Sequence, residues 1–372
     1  MTRYLICFIG SLLVTNTFAQ SINQGEDLVF NLDFETSFDA DGPVDLGEHY
    51  VLADYKSNKL KFFDKESLTT VKSVEFLREG PNSTKWPMGM SRFNGSLIVL
   101  DFYKSEINFL DDKTVVGMQL DFLDKTNGNR GHMSTWVSRV TPGEKYIYVP
   151  FQPRIAINSG EVNHKINSIL RINVKTGEQD EFLPFPNNYL KPVAGGYTSF
   201  SSITYNQNKK SLFVSFPLNE SVYEITGDSE VLEHKVDSKA HLNFDSHFYS
   251  DASEQKRAFD RHEYSKNYLE KESYWYFQYD KHSDIYWRII NLPIEYSDQD
   301  LSTHEAAKQR KIRIEVLNSE LKSIFLSNAI EGLDVSLNSG NAFVSPKGLH
   351  IKSNSQEVEE ELRFKTFVFS KN

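Results

Sequence analysis

The sequence predicts an all-β protein, a six-bladed β-propeller with short helical insertions in or before the fifth blade. Three observations predict it. Short runs of aromatic and β-branched residues alternate with polar ones between Gly-, Asn-, Asp- or Lys-rich turns, the pattern of strands joined as hairpins. One hairpin recurs at a 47-residue offset: Val51-Leu52-Ala53-Asp54-Tyr55 matches Ile98-Val99-Leu100-Asp101-Phe102, and Leu60-Lys61-Phe62-Phe63-Asp64 matches Ile107-Asn108-Phe109-Leu110-Asp111. Counting the weaker copies gives six hairpins, and a repeat of 40–50 residues holding about four strands is the signature of propeller blades.

The elements follow in chain order. Arg3, an apolar run over residues 4–14 and the ending Thr17-Phe18-Ala19 have the form of a secretory signal peptide, with cleavage expected after Ala19. The run is short of the ~20 residues that span a bilayer. Lipid attachment at Cys7 is disfavoured, because Ile6 is not small and only six residues precede the cysteine. Residues 20–372 then form one propeller domain, and the expected location is the periplasm or cell envelope. The stretch 28–34 alternates apolar and polar residues and has no partner in the first blade, so it is expected to complete the last blade beside residues 362–369. After the duplicated pair, hairpins are expected from 146–149 with 169–172, 212–216 with 222–225, 275–279 with 285–289, and 342–344 with 349–351. Two segments break the pattern. Residues 241–272 are rich in charge, and residues 297–311 contain Ser302-Thr303-His304-Glu305, which has the form of a capping box. Both are expected to be helical excursions from the fifth blade.

Composition narrows the function classes. Hydrophobic residues at 39%, charged at 25% and aromatic at 13% exclude a disordered chain, a collagen-like fibre and a coiled coil. The 41 Lys and Arg against 51 Asp and Glu give a net charge of −10, which argues against nucleic acid or an anionic membrane surface as partner. Cys7 is the single cysteine and lies in the segment expected to be removed, so thiol nucleophiles, thiolate metal ligands and disulfides are not expected in the mature chain.

Glu79-Gly80-Pro81, Trp86-Pro87-Met88-Gly89-Met90 and the strand 95–101 resemble the NHL-type propeller repeat. Over residues 26–372 the chain also resembles an exported six-bladed propeller family of Bacteroidota-type bacteria, catalogued as a domain of unknown function. Arg78-Glu79-Gly80-Pro81-Asn82, Ser215-Phe216-Pro217 with Ser221-Val222-Tyr223, and Tyr279-Asp280 with Tyr286-Trp287-Arg288 carry that resemblance. It implies the fold and an exported protein, and no activity. Many members of that family are lipoproteins, and this chain lacks a usable lipobox.

Propellers bind ligands on the face formed by the loops that lead into each innermost strand. Candidate ligand-binding residues on those loops are Arg78 and Trp86, then Arg130, His132 and Trp136, then His241 and His247 in the charged insertion. Arginines paired with indoles suit an anionic or sugar-like ligand; a surface ion pair for Arg78 and core packing for Trp86 are the alternatives. The spacing His241-x3-Asp245-x-His247 could present imidazole and oxygen ligands, but a solvated polar loop is the favoured reading, and no metal site is assigned. Asp39, Asp41 and Asp45 around Gly42 hint at a calcium loop, but the third Asp or Asn and the distant Glu of an EF-hand are lacking, and a surface turn capped by Asp is the favoured reading. No Gly-x-Ser-x-Gly elbow and no Gly-rich phosphate loop with its lysine is present, so neither catalytic residues nor a cofactor is assigned. The expected function is that of an exported, non-catalytic binding or interaction protein of the envelope, with a protein or a glycan as partner. A metal-dependent propeller hydrolase or lactonase is the alternative.

Overall fold

The computed structural model describes residues 20–37, 40–54, 56–76, 83–84, 87–101, 106–110, 115–119, 131–133, 138–153, 167–190, 198, 200–227, 230–251, 253–254, 257, 263–296, 302–336, 338–355 and 358–371. Over these residues the chain forms six antiparallel sheets, one per blade. Blade 1 holds Asp41–Asp45, His49–Asp54, Lys59–Asp64 and Thr70–Glu75, and blade 2 holds Pro87–Phe93, Ser96–Asp101, Glu106–Leu110 and Val115–Gln119. Blade 3 is Thr141–Pro142, Tyr146–Pro153, Asn167–Asn173 and Gln179–Pro184, with Gly131–Met133 paired to the far end of its second strand. Blade 4 is Ser202–Asn206, Ser211–Ser215, Val222–Thr226 and Glu230–His234, and blade 5 is Ser273–Asp280, Ile285–Asn291, Ile312–Asn318 and Ser323–Leu326. Blade 6 contains Ala342–Ser345, Gly348–Lys352 and Glu361–Lys371. All the expected hairpins form, in register with the predicted apolar runs.

The core lies between blades rather than inside any one of them. Val51 and Ala53 of blade 1 pack with Met90, Leu97 and Val99 of blade 2. Their neighbours in the same strand, Tyr50 and Leu52, pack with Phe343 and Phe364 of blade 6. The same division recurs at the 2–3, 3–4, 4–5 and 5–6 seams. A middle strand buried on both faces needs an unbroken apolar run, and successive side chains go to opposite neighbours.

Hairpin turns are capped by the residue that ends the strand. Asp64 accepts from Glu66 N and Ser67 N, Asn206 from Asn208 N and Lys209 N, and Asp280 from His282 N and Ser283 N. These Asx turns satisfy backbone donors that the ladder leaves over.

The ring is closed by the N-terminal segment. Leu28–Asn31 pairs with residues 361–364 of the last strand, as expected, and Gln20–Gln24 extends the closure by pairing with residues 367–371. The closing strand stops short of the predicted Phe34. The backbone turns at Phe34 and Glu35, where Asp33 accepts from Glu35 N and Thr36 Oγ1, and Phe34 projects into solvent.

The two insertions are where the sequence placed them. The first runs between blades 4 and 5, with a 3₁₀ turn at Asp245–His247 and helix α1 at Glu263–Leu269. The second joins the second and third strands of blade 5 and holds helix α2, Thr303–Ala307. Ser302 Oγ accepts from Glu305 N at 3.2 Å, the N-cap half of the predicted box. Tyr268 and Leu269 of α1 pack on Ala306 and Ala307 of α2. Arg310, fully buried, donates to the carbonyls of Tyr268, Lys271 and Leu292 at 2.7–2.9 Å. The Tyr268 carbonyl lies in the last turn of α1 and that of Lys271 just beyond it, where a cation is favourably placed. Arg310→Ala is expected to orphan all three acceptors at about 1–3 kcal/mol each. Hydrogen exchange at residues 263–269 should accelerate while the blades stay protected, and unchanged exchange there would sink the assignment.

Two buried histidines set an acid limit. His350 joins Ser345 Oγ at Nε2 (2.7 Å) to Thr366 Oγ1 at Nδ1 (3.0 Å) and stacks on Phe343. Burial pushes its pKa down to about 3, and burial pushes that of His247 down to about 4, against an ordinary 6.5. Above pH 6.5 both rings are neutral whether the chain is folded or not. Below it the unfolded chain takes up the protons first, so stability present at neutral pH is lost as pH falls from 6.5 towards 3. At pH 5 the loss is about 1–2 kcal/mol per ring. The urea midpoint should drop between pH 7 and 5, less steeply in His350→Gln; identical slopes for wild type and variant would refute it.

Candidate functional site

The innermost strands of all six blades face a central channel, and a cavity of about 510 Å³ opens at one end of it. Its rim is made by the hairpins that leave those strands, through Gly47 in blade 1, Pro142 in blade 3, Gln207 in blade 4, Lys281 and His282 in blade 5 and Pro346 in blade 6. Deeper in lie Pro43, Met90, Arg139, Tyr276 and Ser339.

Hydrogen bonds from one innermost strand to the next hold this wall together. Ser138 Oγ accepts from Ile203 N at 3.0 Å and donates to Ile203 O at 3.4 Å, clamping blade 3 to blade 4. Ser202 does the same to Phe277 of blade 5, at 2.9 Å and 3.2 Å. Val140 N donates to Gly89 O between blades 3 and 2. Between blades 6 and 1, Gly340 sits so close to Gly42 that an added Cβ would lie 2.6 Å from its backbone nitrogen. Any side chain there would force the seam apart.

Charge is distributed unevenly around the wall. Asp45 pairs with Lys65 at 2.6 Å, which leaves that couple neutral. Arg139 spends Nη1 on Pro43 O at 2.8 Å and Nε on Ser339 O at 3.4 Å. Asp41 lies fully buried beside it. Burial pushes that carboxyl's pKa up, and Arg139 with the amides of Met90 and Gly89 opposes the shift. Arg92 rests its guanidinium against Gly47, and Lys281 and His282 stand exposed on the rim. Among the described residues no carboxylate pairs with Arg92 or Lys281. The cavity thus presents an excess of cations in a chain of net charge −10. Tyr205, Tyr276 and Gln278 line the opposite side, on blades 4 and 5.

Few of the residues predicted from sequence can be located against this cavity. Arg78, Trp86, Arg130 and Trp136 lie outside the described residues. His132 is described only as backbone, in Gly131–Met133. His241 is exposed with φ of 50°, and His247 is buried with Nε2 2.6 Å from Glu272 O; neither lines the cavity. The cavity opens where the innermost strands end, whereas the predicted loops lead into their beginnings. Asp39 also lies outside the described residues, so of the suggested calcium loop only residues 40–45 are described. Asp41–Asp45 is an extended innermost strand, so its acids are spread along it instead of wrapping a cation. Among the described residues no group of three His, Cys, Asp or Glu side chains is placed to hold a metal.

The channel lining of blades 1–3 escaped the sequence reading because those innermost strands carry Pro, Gly, Ser and charged residues instead of apolar runs, whereas residues 275–279 and 342–344 of blades 5 and 6 were read as strands but not as a ligand wall. One signal was present: Ser138-Arg139-Val140 and Ser201-Ser202-Ile203 each place a hydroxyl just before or at the start of a short strand.

The family described as Domain of unknown function (DUF4221) matches residues 44–324, spanning all of blades 2–4 and most of blades 1 and 5. The chain belongs to the DUF4221 family. A crystal structure of a DUF4221 member from Bacteroides vulgatus is similar at a TM-score of 0.74 and 17% identity, over 95% of this chain and 99% of that one. A Bacteroides fragilis protein bearing the name "Putative exported protein" matches at a TM-score of 0.54 and 11% identity, over 93% of this chain and 95% of the other. Both are likenesses of fold. No curated protein matches the chain.

Proposed function

We propose that this DUF4221 protein is an exported, non-catalytic binding protein of the cell envelope whose small anionic ligand occupies the central channel. The observation that carries this reading is the cationic lining of a cavity built by all six blades of an acidic chain. A concave site in which cations are held by a rigid scaffold favours an anion without needing a mobile lid. Export rests on the signal-peptide form of residues 1–19, and cleavage after Ala19 would leave the closing strand from Gln20 whole. Among the described residues no helix is long and apolar enough to cross a membrane. Binding without turnover fits a site in which Ser138 and Ser202 have their hydroxyls committed to the backbone of the neighbouring blade.

Thermal melting against a panel of small anions tests the reading. A ligand that binds the folded state alone raises the melting temperature in a saturable way. At least one anion should do so for the wild type and fail with Arg92→Ala/Lys281→Ala, whose altered side chains are on the exposed rim. The bound compound should be recovered chemically unchanged. Saturable stabilisation equal in both proteins, or in neither, would refute the site.

A further inference from the structure

Resting on that reading, the arrangement of the wall narrows the ligand further. Cationic and aromatic groups are unevenly placed around the channel. Blades 2 and 3 contribute the guanidinium groups of Arg92 and Arg139, whereas blades 4 and 5 contribute Tyr205, Gln207, Tyr276 and Gln278, with Lys281 and His282 at the exposed rim beside them. The ring of Tyr205 is stacked against Tyr148 at 6.5 Å and 20°, which fixes its plane. Tyr276 belongs to the core cluster at the blade 5–6 seam, so its ring too is immobile. Gln278 gives its amide nitrogen to Thr204 Oγ1 at 3.0 Å, and its carbonyl oxygen remains as an acceptor at the wall. Gln207 is exposed on the rim and carries both a donor and an acceptor.

A bare inorganic anion would use the cationic side alone. A flat aromatic acid would leave the amides without partners. A ligand with an anionic group at one end and a hydroxylated ring at the other engages both sides, since tyrosine faces pack on sugar C–H groups and amides pair with ring hydroxyls. We propose that the channel takes a cyclic sugar bearing one anionic group, with that group towards Arg92 and the ring towards Tyr205 and Gln278. A sugar carboxylate and a sugar phosphate share this chemistry. The cavity of about 510 Å³ has room for a ligand of that size.

Titration calorimetry of the full mature chain tests this with five probes: D-glucuronate, glucose 6-phosphate, D-glucose, acetate and inorganic phosphate. One of the two sugar anions should bind at least tenfold more tightly than glucose and than its own anion alone, and which of them does so distinguishes carboxylate from phosphate. Arg92→Ala should weaken that probe about tenfold. Tyr205→Ala should remove its advantage over the bare anion while leaving the anion's own binding intact. Gln207→Ala, on the exposed rim, gives the same comparison where the tyrosine variant fails to fold. Acetate or phosphate binding as tightly as the sugar anion would overturn this inference and leave the anion site standing. Glucose binding as tightly would remove the role of charge. Absence of saturable binding by any of the four anions would refute the anion site itself.

Discussion

A chain that begins at Asp33, lacking the two closing strands, is expected to lose the native fold, and Phe30→Ala alone is expected to cost about 3–5 kcal/mol. Phe30 is fully buried and meets three rings edge-on: Phe63 at 5.2 Å, Tyr50 at 5.5 Å and Phe364 at 5.9 Å. Two of these belong to blade 1 and one to blade 6, so the side chain fills the seam where the ring meets itself. Its strand contributes more than that ring. It pairs with residues 361–364 on one side, and Asn31 N donates to Leu68 O of blade 1 on the other. Truncation would expose the whole edge of Glu361–Lys371, a template for intermolecular pairing. Chemical denaturation of Phe30→Ala and light scattering of the truncated chain are the measurements. A truncated chain that stays monomeric with the native urea midpoint would show that closure is dispensable.

This closure was legible because Leu28-Val29-Phe30-Asn31 alternates towards a core that the first blade cannot provide. The preceding strand, Gln20–Gln24, was not. Its sequence QSINQ lies at the sheet margin, where it is half-buried or exposed and where polar residues are tolerated. The same physics divides the rest of the fold. Runs such as Ile98-Val99-Leu100 announce middle strands because both faces are buried against neighbouring blades. Asp41–Asp45 is buried as far as Val44 yet carries Asp, Gly and Pro, and Thr141–Pro142 is only two residues long, so neither offers an apolar period to read. The candidate site is built almost entirely from such strands and their hairpins. Arg139 illustrates the difficulty: it is one cation among 41, and its place comes from carbonyls of Pro43 and Ser339, far away in the chain. Asp64 and Asp280 were easier, because an acid closing an apolar run caps its own turn within three residues.

Removing Glu315 is expected to destabilise the protein by about 3–5 kcal/mol, the usual result of leaving one partner of a buried ion pair alone. Glu315 and Arg288 are both completely buried in the middle of blade 5. Glu315 Oε2 accepts from Arg288 Nε at 2.9 Å and Nη2 at 2.6 Å. Its Oε1 accepts from Ser238 Oγ at 2.9 Å, Lys239 N at 3.2 Å and Ser323 Oγ at 2.6 Å. Arg288 also donates to Glu220 O at 3.1 Å and lies over the Tyr274 ring at 4.0 Å. The network therefore bolts blade 4 and its outgoing linker to blade 5. Arg288 was visible beforehand within Tyr286-Trp287-Arg288, whereas its partner lies in a strand beyond the second insertion, a pairing that adjacency in sequence could not disclose. Glu315→Ala leaves a guanidinium in the interior with one carbonyl and one ring for company. Arg288→Met is expected to be milder, since the carboxylate keeps two hydroxyls and an amide. The double variant Arg288→Met/Glu315→Leu should recover most of the loss, because desolvating two charges consumes much of what their attraction returns. Urea denaturation of the three variants decides it. Single-variant losses below about 1 kcal/mol, or a double variant as unstable as the sum of the singles, would mean that the pair does not hold the blades together.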